Sequence, residues 1–590
     1  MLEYNTRHPN SFPFLQLPNE LQLSVLQNLD GRSILACRQA SRVLASAIDN
    51  DARISYQLEL ELAGMVDGPP GNEGSLHERL DALQAWTAAW ASGEYPVHEF
   101  SLGPSQRTNL FYQFYSPSRM ALDIACTDMQ DGSLKVHRPP SSACGIRAKD
   151  YVYQGFGAQV DTQSIVGFHV DLAQDLFVWL NGHNPNNPLI QPTLHFCSLA
   201  NGFGPHPDAA RPTITPCFVG WLPVLRLQVL DDIVACKIHG GEIHEPRTDV
   251  LVVNWKTGVV VWHMHLPHDT VTLLTQTQLC IMHSDNMSFY LYTFDPRASA
   301  DSPVSALKDS VAVLRLPACN DRVLGKSLYG DIGLPPAYPD GTPHRFRHDP
   351  AHSLVTVAIS LGYVQNVPGY DPEDSPMASE QYLLLIPIDT LLREYRLADD
   401  PYHAPLPTAT VDSSGSEPKR IVPWERWGPS GTRMVCVQTS SDWIFASLPS
   451  ALGAYAAVTS FHSERQGHVA TVYKVHPLAD AATSLPIAQA DGSGVQPGQE
   501  IRRSRPEEDY IRGANTWADD IHTTFPCKVT TRRLPFPLIL AVGHPYCVLL
   551  THDGLVHIEV CTPVALLPAC ANSLRPSNVP HSVGSGQRTL

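Results

Sequence analysis

His263 and His265 are the residues best placed for metal chemistry in this chain. On a β-strand, side chains at i and i+2 share a face, which is what two imidazoles on one ion require. Further ligands would come from His268 and Asp269 just downstream, or from His239, Glu242 and His244 upstream. With 26 histidines in the chain, such clusters arise by chance, and a hydrogen-bonded strand pair is the simpler reading. Neither a metal nor a cofactor is therefore expected.

Other chemical signals are weaker. Gly155-x-Gly157 lacks the third glycine of a dinucleotide loop and reads as a turn or bulge. Gly428-Pro429-Ser430-Gly431 has the wrong spacing for a nucleophile elbow. The adjacent acids Asp231-Asp232, Asp399-Asp400 and Asp519-Asp520 would point to opposite faces of a strand, so they read as turn residues. The 13 cysteines include no C-x-x-C pair, which argues against a zinc module or a redox motif. Trp424 and Trp427, around Arg426, read as partly buried aromatics before a recognition surface. No catalytic residue is expected, and an enzyme is the least favoured class.

Composition narrows the rest. A chain of 590 residues needs two or more domains. The formal charge is 41 − 58 = −17, which argues against nucleic acid as a partner. The basic clusters Arg502-Arg503-x-Arg505 and Arg532-Arg533 read as solvated loop or strand-edge positions. No run reaches the roughly 20 apolar residues of a membrane helix, so no membrane partner is expected. The first residues lack a signal-peptide core. A reduced compartment, cytosol or nucleus or both, is the expectation, and Asn286-Met287-Ser288 would then be an idle sequon.

The elements that organise the chain begin near its N-terminus. Pro18 suits the first turn of a helix, and Glu20 places negative charge at the positive end of the helix dipole. Leu17, Leu21, Val25 and Leu29 recur at helical spacing, while Leu23 and Leu26 widen the apolar arc. Asp30 can cap a second helix carrying Ile34, Leu35 and Cys37. Ser41 can begin a third, with Val43, Leu44, Ala47 and Ile48. So small a unit with surplus apolar surface implies a partner or a neighbouring domain.

The ordered pattern Leu17-Pro18-x-Glu20-Leu21, Val25-Leu26, Leu29, Ile34-Leu35, Cys37-Arg38 and Ser41-Arg42 resembles the F-box. That resemblance implies docking on the Skp-type adaptor of a cullin-based SCF ubiquitin ligase. The implied adaptor-binding residues are Leu17, Pro18, Glu20, Leu21, Val25, Leu26, Leu29, Ile34, Leu35 and Cys37. The implied role is a non-catalytic substrate receptor for an unknown protein target. An F-box scaffold acting outside ubiquitin transfer is the alternative, and a propeller enzyme a weaker one.

After the F-box, Ile54, Leu58, Leu62 and Met65 continue one helical face. Ser75-x-x-Glu78 is a capping box opening a helix with Leu83, Trp86 and Trp90. Residues 56–90 resemble the linker helices of F-box proteins of mushroom-forming (basidiomycete) fungi. From about residue 97 short strands take over, with hairpins expected in 165–180, around Lys256-Thr257-Gly258, and at Asp553-Gly554. The fold class expected is α+β and multidomain: a three-helix F-box over 12–55, a helical linker over 56–95, and a mainly-β domain over 96–570. A divergent β-propeller suits that length of strand-rich chain. Residues 399–420 and 480–507, and a disordered tail over 571–590, cannot build a core.

Overall fold

The computed structural model describes residues 14–69, 74–102, 124–128, 133–155, 165–181, 193–215, 224–242, 245–266, 270–298, 310–333, 344–364, 377–399, 420–438, 449–462, 467–479, 499–503, 510–533 without 512, 514 and 515, and 546–560 without 552 and 554. An N-terminal helical region precedes a mostly β region of many antiparallel sheets. Of the two segments expected to be flexible, 400–419 and 480–498 lie outside the described residues, as does the whole tail from 571, but Gln499–Arg503 departs from that expectation by pairing as a strand with Cys527–Arg533.

Five helices open the chain: α1 (Asn19–Leu26), α2 (Gly31–Ala40), α3 (Arg42–Asn50), α4 (Ala52–Ala63) and α5 (Leu76–Ser92). Their starts follow local side-chain chemistry. Asp30 accepts from Ser33 N at 2.8 Å, and Asp51 accepts from Ile54 N at 2.9 Å. Ser75 and Glu78 close the expected capping box on α5. Helix α4 ends at Gly64, whose φ of 68° is the left-handed value that glycine adopts without a Cβ penalty. Met65 therefore leaves the helix, and Met65–Asp67 pairs as a short strand with Phe346–His348. The apolar period expected to end at Met65 continues in space but changes element. Helix α4 also runs unbroken across residue 55, because Ile54, Leu58 and Leu62 belong to one buried cluster.

Among the described residues, seven sheets of three to five strands follow. Sheet I takes Ile124–Asp128, Ser133–Arg138 and Lys149–Tyr153. Sheet II runs from Ile165–Asp171 through Leu176–Asn181 and Leu194–Ser198 to Thr213–Ile214. Sheet III is Val224–Leu230, Ile233–Glu242, Glu245–Asn254 and Val259–Leu266 in sequence order. Sheet IV orders Thr270–Leu273, Gln278–His283, Ser288–Thr293 and Ala312–Arg315, with Ile421–Val422 added in parallel. Sheet V holds Val323–Ile332, Leu354–Val364, Met377–Pro387 and Arg433–Gln438. Sheet VI begins with Ser450–Leu452, Tyr455–His462 and Gly467–Val475, then adds Cys527–Arg533 and Gln499–Arg503. Sheet VII joins Tyr546–Leu550 and Leu555–Val560 to Val97–Leu102, which lies parallel to Leu555–Val560.

From sheet II to sheet VI, the first strand of each sheet packs against the first strand of the next, and Ser450–Leu452 of sheet VI packs against the edge strand Tyr546–Leu550 of sheet VII. Sheets I and II share the cluster of Leu134, Val136, Phe168 and Phe177. Between sheets VII and I, Ser141 Oγ donates to Asp553 at 2.7 Å.

The expected hairpins form. Leu550 pairs with Leu555 around the acidic turn, and Asn254 pairs with Val259. Gly258, at φ +68°, closes the latter turn, and a Cβ there would stand 2.6 Å from the Arg211 side chain. Among the described residues, two helices interrupt the β region where few were expected: α6 (Ile388–Asp399) and α7 (Trp424–Gly431). Both pack on the last main strand of sheet IV, and Trp427 Nε1 donates to Arg315 O at 2.9 Å. Tertiary packing selects these helices, whose sequences carry no strong local start signal.

Candidate adaptor-binding surface

Helices α1 to α4 build a small core from Leu26, Ile34, Leu35, Ile48, Ile54, Leu58 and Leu62, joined by Leu478 from beyond sheet VI. The buried Gln22 Nε2 donates to Leu17 O at 2.8 Å, which fixes the entering chain against α1. Glu61 Oε2 accepts from Gly31 N at 2.5 Å, so a carboxylate on α4 meets the positive start of α2. Gln57 Nε2 donates to Leu29 O at 3.0 Å. Arg38 and Asp49 pair at 2.8 Å across α2 and α3. The Asp30 carboxyl lies below its ordinary range because it accepts from the Ser33 backbone.

The sequence-selected residues divide by exposure. Leu26, Ile34 and Leu35 face the chain's own core. Leu17, Leu29 and Cys37 are half-buried, and Pro18 and Glu20 are exposed. Leu21 and Val25, at i and i+4 on α1, expose 52% and 44% of their surface. Two residues outside that selection join the exposed apolar set: Leu15 at 52% and Val43 at 61%. Val43 and its neighbour Leu44 point about 100° apart on α3, and Leu44 is the one that is buried. An open groove of about 580 Å³ runs between α1 and α3, lined by Leu23, Arg42, Val43, Ala47 and Asn50 among others. These helices thus keep a core and leave large apolar groups in water, an arrangement suited to a protein partner.

The helical region is fastened to the sheets. Trp86, Trp90, Tyr95, Tyr455 and Phe346 form one buried cluster between α5, sheet VI and the strand paired with Met65–Asp67. Tyr56 Oη donates to Asp67 at 2.9 Å, and Arg79 pairs with the same carboxylate at 2.6 Å. Burial, reinforced by Asp67, raises the Tyr56 phenol well above its ordinary value. Arg532, one of the basic-cluster residues, donates to Tyr95 O and lies over the Tyr95 ring at 5.4 Å. Arg532 therefore serves packing.

Several other chemical candidates among the described residues take structural positions. Trp424 and Trp427 are buried on α7. Asp231 occupies a turn at φ 51°, and Asp520 accepts from Gly513 N at 2.8 Å. Gly155 has φ +85°, as a turn requires, while Gly157, Arg505, Asp400, His268 and Asp269 lie outside the described residues. His263 and His265 share one face of sheet III, and the third residue beside them is Asp249, which the sequence did not single out. In the backbone register His239 pairs with Thr248 and Glu242 with Glu245, and His244 lies outside the described residues.

Among helices of the described residues, none is long and apolar enough to cross a membrane. No curated protein matches the chain. The crystal structure of Kluyvelomyces marxianus Hsv2 is similar at 12% identity and a TM-score of 0.20, over 44% of this chain and 69% of that one, too low to bear on the argument. Residues 14–55 match the F-box domain family. The segment that folds into capped helices with an exposed apolar stripe is therefore an F-box domain, and its presence supports an F-box protein.

Proposed function

We propose that this chain is the substrate-recognition subunit of an SCF-type cullin ubiquitin ligase. The F-box domain would dock on the Skp-type adaptor, and the β region would hold a protein target. The observation that carries this reading is the F-box match over a segment whose Leu21, Val25 and Val43 stand in solvent. Apolar groups of that size contribute to affinity when a partner removes them from water. Leu17, Pro18, Glu20, Leu29 and Cys37 would border the contact. Leu26, Ile34 and Leu35 would act by holding the helices in shape.

We infer further that the β region is a divergent β-propeller with seven blades. The first-strand contacts between successive sheets support it, as does the pairing of Val97–Leu102 with the last strand. Joining early and late strands in one sheet is how a ring avoids open edges. The helical linker packed on sheet VI would then set the distance and orientation of a bound target relative to the ligase. The acceptor lysines would belong to the target, so no catalytic residue or cofactor is assigned to this chain. A cytosolic or nuclear setting and kinship with basidiomycete F-box proteins belong to the same reading.

The test is affinity purification of the tagged full chain from eukaryotic cells beside a Leu21→Asp/Val25→Asp variant. Adaptor and cullin recovered with the wild type alone are the expected result. Equal recovery with both, or with neither, overturns the assignment. Leu26 is unsuitable for this test, because a charge at that buried position would unfold the helices and confound the readout.

A further inference from the structure

We propose that Asp249, His263 and His265 form a binding site for one divalent transition ion of the zinc class, on the last two strands of sheet III. The sheet register creates the site. Asp249 pairs directly with His265, and Leu251 with His263, so the three side chains share one face. One potential ligand atom from each lies within 4.8 Å of the others.

The distances suit an ion better than a finished hydrogen-bond network. His263 Nε2 is buried without a hydrogen bond and stands 3.7 Å from Asp249 Oδ1. Two donors bound to one tetrahedral ion at 2.0–2.2 Å are separated by roughly 3.4 Å. His265 Nδ1 already contacts the same carboxylate, so it needs only a small movement to share an ion with it.

Two imidazoles and a carboxylate suit zinc-like ions over calcium and magnesium, which favour all-oxygen shells, and over cuprous copper, which favours sulfur.

Exposure indicates how such a site would work. Asp249 has 6% of its side chain exposed and His263 17%, while His265 has 55%. Two ligands are therefore anchored in the sheet, and the third faces solvent on the edge strand. That geometry leaves a fourth position for water or for a ligating group on a bound protein.

The experiment uses the full chain, stripped with chelator and titrated with Zn²⁺ by calorimetry. Co²⁺ absorption then reports coordination by nitrogen and oxygen. The expected result is one ion per chain, weakened more than about tenfold by His265→Gln and by Asp249→Asn. The half-exposed His265 makes the first variant safe for the fold, which a metal-free melting curve verifies. A His137→Gln variant, which removes a separate His–Asp pair at 2.5 Å, should bind as the wild type does. No stoichiometric binding, or binding that survives His265→Gln, overturns the site and leaves a hydrogen-bonded cluster.

Discussion

Lys474, on the third strand of sheet VI, donates through Nζ to the carbonyl of Leu62, 2.8 Å away in the last turn of α4. A cation thus meets the negative end of α4 and satisfies a carbonyl that the helix itself leaves open. Burial, with the Lys528 charge, lowers the Lys474 amine to about 8, against the opposing pull of Glu59. This contact couples the helical region to the sheets in a pH-dependent way.

Between pH 8 and the ordinary lysine value, the unfolded chain holds a proton on Lys474 that the folded chain has released. Stability from this group therefore rises with pH across that window. Relative to Lys474→Met, the wild type should gain on the order of 2 kcal/mol from pH 8 to pH 10. Paired denaturant titrations check it. A constant difference across the window would remove Lys474 from the account.

Acid should act in the opposite range. Burial lowers His348 to about 3, and burial together with nearby positive charge lowers His476 to about 2. Both are neutral when folded, while an unfolded histidine takes up a proton near pH 6.5. The stability they contribute is complete above that value and is lost as pH falls toward the folded values. Each should account for about 2 kcal/mol of the loss by pH 5. His476→Asn keeps an acceptor for Leu478 N, which His476 Nδ1 accepts at 3.1 Å, and should flatten the acid limb of melting temperature against pH.

The aromatic cluster should dominate the attachment of α5. Trp86 lies 5.5 Å from Tyr455 and 5.8 Å from Trp90 between ring centroids. Trp86→Ala should cost about 3–5 kcal/mol, chiefly as a cavity. Limited proteolysis should then cut between α5 and the sheets at protease levels the wild type resists. Unchanged resistance would mean the helix is held mainly by its other contacts.

The start of α2 offers a finer test. Glu61→Gln keeps the acceptor for Gly31 N but removes its charge, and should lower stability by about 1 kcal/mol. Glu61→Ala removes both and should cost more, about 2 kcal/mol, with the loss seen in thermal melts of the full chain. Equal effects of the two changes would show that charge, and not the hydrogen bond, holds this junction.

What was legible in the sequence was local. Asp30, Ser41 and Ser75 cap the helices expected of them, because a cap and its target lie within three residues. The hairpins at Asn254–Val259 and Leu550–Leu555 formed for the same reason. Helix α6 was missed, because its place depends on burying Ile388, Leu391 and Tyr395 against sheets distant in sequence.

By itself the sequence determined the F-box pattern, the helix starts, the strand-rich character of the long C-terminal region and the shared face of His263 and His265. Only tertiary structure decided that Leu26 faces inward while Leu21 and Val25 face water. Helical spacing relates residues to one another, but it does not say which face meets a core. Only strand register brought Asp249 to the two histidines, across 16 residues of chain from His265. Pairing between strands sets such meetings, and the order of residues along one strand carries no record of its partner.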